Sequence, residues 1–325
     1  MPASGSPSPA PSPLTGAYGV LMSPLTGTNY TVSLVGIDGR VIASAQASTP
    51  STTTCANAAA AVVSAPVSTS NSRVYYMDAL GVVRYLAPNG DAGRATTVPI
   101  GPSRRSMFAV SPDDQRIAVV VDDFTASGAS TRLYVEDLNG GGHHADIFGE
   151  SGAFTLWPTG WHGTNNLVVA KVPSCTQGGG PGTAGPTEFH VVDPATAIRR
   201  FTVGGPGCLI AGPPSPAGAV CESDVQATVL TWTATTTRSF AIQGFTLAYL
   251  SPNGSQVALT LNGETVIQES SKTFPGMQAC GWIDETHVFS GGDAQRQPRV
   301  GDVTTGNVVP IAAQGDCVGR LPGGL

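Results

Sequence analysis

Charge is scarce in this chain. Asp, Glu, Lys and Arg make up 12% of its 325 residues, and only Lys171 and Lys272 are lysines. With a formal net charge of -6 it lacks the basic footprint that a phosphate backbone requires, which excludes nucleic acid as an expected partner. Long apolar runs are absent too: no stretch of about 18 apolar residues occurs, so no membrane-spanning helix is expected from the chain as given. Chemical motifs are equally sparse. The cysteines show no C-x-x-C or finger spacing, and no phosphate loop or dinucleotide fingerprint is present. "GESGA" around Ser151 lacks the second glycine of a nucleophile elbow in place. No two of His143, His144, His162, His190 and His287 stand two or four residues apart, the spacings that converge on a metal. Neither a metal nor a cofactor is expected.

Turn-formers and β-formers are plentiful. Forty-one glycines and 26 prolines punctuate segments rich in Val and Thr, which favours short strands with tight turns and predicts an all-β fold. Six cysteines, an even number, predict disulfides and an oxidising compartment. Residues 1–16, "MPASGSPSPAPSPLTG", have almost no large apolar side chains and read as a disordered tether ahead of a single domain over 17–325. The reading is of a secreted or envelope protein, attached through a lipid-bearing cysteine removed with its signal; the plainer alternative is the tail of a soluble protein.

"FAVSPDDQRIAVVVDD" (Phe108 to Asp123) returns as "AYLSPNGSQVALTLNG" (Ala248 to Gly263). Fainter copies lie before, between and after them, each reading strand, polar turn, strand. Taking the last strand residue before each turn, the anchors Val67, Val110, Trp161, Pro214, Leu250 and Trp282 are spaced by 43, 51, 53, 36 and 32 residues. This is close to the roughly 40–45 residues of a four-stranded propeller blade. Asp38, Asp137, Asp193 and Asp302 recur where a second turn begins, placed to accept backbone N–H groups. The first segment supplies only three strands, and "DCVGRLPGGL" near residue 321 falls on period for the missing inner strand. The prediction is a β-propeller of seven blades, within a range of six to eight, closed by the C-terminal strand.

"SPDDQRIAVVV" and "SPNGSQVALTL", followed by "LYVEDLNGG", resemble the repeats of TolB-like β-propellers, relatives of WD-repeat rings. The likeness covers about residues 17–325 and implies a fold found in envelope proteins and in the propeller half of prolyl-oligopeptidase-type enzymes. "GWHGTNN" and "GWIDETH" lack its Ser-Pro, and the fifth repeat is short and irregular.

Function is read from the loops. Asp122 and Asp123 are expected at the end of a second strand, and Arg104 and Arg105 on a connection emerging on the same face; with Trp161 they form the candidate binding set. Simpler roles are a salt-bridged loop for the charges and core packing for Trp161. The long segment Pro173 to Glu188 is the candidate mobile lip. The leading reading is a non-enzymatic scaffold that presents this face to a protein, peptide or glycan. The alternatives are a hydrolase or lyase at the channel mouth, or a structural subunit of an envelope assembly. Among the cysteines the blade map pairs Cys280 with Cys317 across the closure and Cys175 with Cys208, with Cys208–Cys221 or Cys55–Cys317 as fallbacks.

Overall fold

The computed structural model describes residues 16–51, 60–61, 65–125, 128–176, 186–244, 246–293 and 295–325. These form seven four-stranded antiparallel sheets arranged as the blades of a closed propeller. Strands are lettered A to D from the axis outward. Blade one joins the two ends of the chain: its strand A is Asp316–Leu321, and Tyr18–Met22, Asn29–Val35 and Val41–Ser48 follow as B, C and D. Tyr18 pairs with Leu321 and Met22 with Asp316, so the last strand closes the ring as the spacing predicts.

Blades three and four position the site described below. Blade three consists of Arg104–Val110, Arg116–Thr125, Gly128–Asp137 and Ala145–Gly152; blade four of Phe154–His162, Asn166–Pro173, Glu188–Val192 and Arg199–Gly204. Alternation along each strand sends one set of side chains to the preceding blade and the other to the next. In strand B of blade three, Ile117, Val119 and Val121 pack with Tyr75 and Met77 of blade two, while Ala118 and Val120 pack with Trp161 and Leu167 of blade four. Both faces being buried, the strand reads as a continuous apolar run.

The repeated Ser-Pro motif has a local cause. Ser111 Oγ accepts the N–H of Arg116 at 2.9 Å and donates to Asp113 at 2.6 Å; Ser251 does the same with Gln256 and Asn253 at 3.0 and 3.1 Å. Trp161 and Trp282, at equivalent inner positions, each donate an indole N–H to strand A of the preceding blade, at Ala109 O (3.0 Å) and Tyr249 O (2.8 Å). Trp161 is thus a core tryptophan with 0% exposure and presents nothing to a partner.

Four details correct the sequence reading. Asp38, Asp193 and Asp302 accept the N–H two residues on, but Asp137 takes the His143 imidazole at 2.7 Å instead. Strand A of blade five is Leu209–Ile210, ahead of the Pro214 anchor, because Pro213 and Pro214 have no N–H for a ladder. Arg104 and Arg105 belong to strand A, not to a connection, since the hairpin extends until they face Asp123 and Asp122. Cys208 pairs with Cys221 inside blade five, Cα–Cα 5.1 Å, and so is not available to Cys175: the short A–B hairpin brings the nearer cysteine within reach. Cys280–Cys317 forms as predicted and links the inner strands of blades seven and one. Residues 1–15 of the expected tether, Cys55, the Cys175 side chain and residues 177–185 of the expected lip lie outside the described residues.

Candidate functional site

D–A and B–C connections emerge on one face of the ring, called upper here, and A–B and C–D connections on the other. Among the described residues, large exposed hydrophobic side chains are divided unevenly between them. Leu25, Leu80, Ile100, Phe154, Leu209, Val225, Leu247 and Leu261 sit at the upper ends of strands or in upper loops; Ile37 and Ile198 lie in lower loops, and Ile42, Phe201 and Val308 on outermost strands. Leu80, Val225 and Leu247 are 74%, 69% and 54% exposed.

The predicted charged set meets at the upper end of blade three, but its members differ. Arg104 holds Asp123 through Nε–Oδ1 at 2.8 Å and Nη2–Oδ2 at 3.0 Å, with both side chains about half exposed. Arg105 is buried and Asp122 is 0% exposed, so neither can offer a surface contact of the kind the sequence suggested. Asp122 instead receives hydrogen bonds from Thr131 and Thr155 Oγ1, each at 2.6 Å, the second reaching across from blade four. Burial pushes the Asp122 carboxyl up to about 6, while the two hydroxyls and neighbouring Asp123 act less strongly.

Thr131 and Thr155 also line a cleft of about 500 Å³ between blades three and four. Its walls are mainly apolar, from Leu133, Phe148, Phe154, Leu156, Val169 and Val192; Gly152 has no atom within 4 Å of where a Cβ would stand. Four ionisable groups cluster on the blade-four wall. Glu188 Oε1 lies 3.3 Å from Lys171 Nζ and 2.9 Å from His190 Nε2, and Arg199 Nη1 lies 3.3 Å from the same imidazole nitrogen. Burial works against the Glu188 charge, yet the bonds to His190 and Lys171 hold its carboxyl below the ordinary value. Burial lowers His190, against the pull of Glu188, so the ring favours its neutral form. Sequence spacing missed this group. Glu188 and His190 alternate onto one strand face, and Lys171 is the cross-strand partner of Glu188, a relation that appears only once the register is known.

The axial channel is a different environment. Gly281, Gly319, Gly323 and Gly324 line it with Pro213, Pro214 and Pro252, and Arg320 is the charged side chain among its described lining residues. At its lower end Gly323 N donates to Ser70 O, and Leu325 N to Trp161 O at 2.7 Å, drawing the final residues across from blade two to blade four.

No protein-family model matches the chain, and no curated sequence is similar to it. Solved structures share its fold. Apo AztD from Citrobacter koseri aligns with a TM-score of 0.51 at 12% identity, over 94% of this chain and 97% of that one. The Dos1 propeller gives a TM-score of 0.45 at 12% identity over 93% and 86%; prolyl oligopeptidase B from Galerina marginata gives 0.44 at 13% over 89% of this chain and 47% of that one. This chain therefore spans about half the length of that enzyme. At such identities the likeness is one of fold alone.

Proposed function

We propose that the chain is an extracytoplasmic binding scaffold of the TolB-like kind whose upper face receives a protein partner. The observation that carries this reading is the uneven division of exposed hydrophobic side chains between the two faces. Apolar side chains gathered on one face of a rigid ring are what a protein interface needs at its centre, and the Arg104–Asp123 pair on the same face supplies a polar rim. Aliphatic residues dominate the set, which favours a protein over a glycan. Two disulfides, Cys208–Cys221 and Cys280–Cys317, fit an oxidising compartment.

The test compares the two faces. Crosslinking capture from the native envelope is run with wild type, with Leu80→Asp/Leu247→Asp, and with Ile37→Asp/Ile198→Asp. A species retained by wild type and the lower-face variant but lost by the upper-face variant is the expected result. Equal capture by all three overturns the assignment.

A further inference from the structure

We propose that the cleft between blades three and four binds a small carboxylate with an apolar body. This site shares Phe154 with the upper-face set but does not rest on the proposed interface. A cleft of about 500 Å³ with apolar walls and a few convergent polar groups is of the size and kind that hold small molecules. What sets the ligand's charge is Arg199.

A register shift in the C–D pairing places it. Val191 pairs with Phe201, but Val192 pairs with Arg199, so Arg200 is the extra residue of a β-bulge. Directly paired residues share a sheet face, and Arg199 is therefore turned to the side occupied by Val192 and His190. Arg200 is released to bond Asp193 and the Asn166 side chain. Blades one and five carry a shift at the same place, and blades two and three carry one two residues earlier in strand C, so a C–D bulge recurs in the repeat, and blade four has put an arginine where it re-aims a side chain.

Glu188 cannot neutralise Arg199 as well. Its Oε1 already serves Lys171 and His190, and among the described residues no carboxylate lies within 4 Å of Arg199. Among the described residues the one polar contact of the guanidinium is His190 Nε2, a nitrogen that has either a proton for Glu188 or a lone pair for Arg199, never both. A ligand carboxylate supplies the missing acceptors, two oxygens matched to the guanidinium fork. Glu150 lies across the cleft on the blade-three wall, which disfavours more than one negative charge. Phe148, Leu156 and Val169 then cover the apolar body.

Phenylpropionate and phenylpropanol are the probes, the same body with and without the charge, followed by ligand-observed NMR and calorimetry on the full chain. The acid is expected to bind about tenfold more tightly than the alcohol. Arg199→Gln should remove that preference, and Arg40→Gln, which alters an exposed arginine in a lower loop of blade one, should keep it. Arg199 is itself exposed, so its variant is expected to fold, and near-UV circular dichroism checks this. Equal binding of acid and alcohol, an unchanged preference in Arg199→Gln, or no saturable binding of the acid below about 10 mM overturns the proposal.

Discussion

On the lower face most connections close on their own side chains, with Ile37 and Ile198 the exposed hydrophobic residues of its described loops, whereas the upper face leaves more apolar side chains in solvent. Below, Asp38, Asn89, Asp113, Asp193, Asn253, Asp284 and Asp302 each accept the N–H two residues on, so each turn closes with its own side chain. Above, the same arrangement occurs at Asp78 and Asp293, while Leu80, Val225 and Leu247 project outward. A turn that closes locally asks nothing of a partner. The proposed interface rests on this contrast.

Removing Asp316–Leu325 should have the largest effect, because both faces depend on the closed ring. Loss of cooperative melting and aggregation through the freed edge are expected; a monomer with an unchanged melting temperature would break the closure argument. Next comes the lower face. Asp114 is buried in a left-handed conformation, φ 61°, and accepts bonds from Ser72 Oγ at 2.6 Å and Tyr75 Oη at 2.8 Å in blade two. Asp114→Ala should cost about 3 kcal/mol in urea titration, by stranding two buried hydroxyls, and Asn should recover part of it.

Asp122→Asn acts in the opposite direction. Because burial raises the folded carboxyl to about 6, its contribution to stability is fully present below the unfolded value and is lost as pH rises through about 6. The asparagine variant should therefore match wild type near pH 4 and exceed it at pH 7, with a ceiling of about 3 kcal/mol, read from melts across that range. A gap that shrinks as pH rises would contradict this. The smallest effects belong to the upper face: Leu247→Asp and Arg104→Gln should each change stability by less than about 0.5 kcal/mol, since one side chain is exposed and the other is in an exposed ion pair. A larger loss in either would mean that the upper face is structural after all.

Much of the ring was legible in the sequence because it is written in local repeats. Ser111, Ser251, Trp161 and Trp282 mark equivalent positions through their own turns and seams, and closure followed from counting strands. The Cys280–Cys317 link followed from the same count. What failed was anything set by a shift in phase. Blade five lost its register at consecutive prolines, and with it went Cys175–Cys208. The cleft was invisible because its walls come from two blades and its decisive arginine owes its direction to a bulge. The charged quartet Arg104, Arg105, Asp122 and Asp123 was recognised as a group, but exposure separates its members, and spacing carries no information about that.

Blade one is assembled from the first and last segments, which gives the molecule a clock. Its strands B, C and D are made before the six other blades and must wait for Asp316–Leu321, which follows all of them along the chain. During that interval Tyr18–Met22 has an unpaired edge, and the partner it needs is about three hundred residues away along the chain. Closure of the ring is thus tied to the emergence of Asp316–Leu321. Cys317 arrives on that same strand, so oxidation to Cys280 can lock the ring only after every other blade has been made.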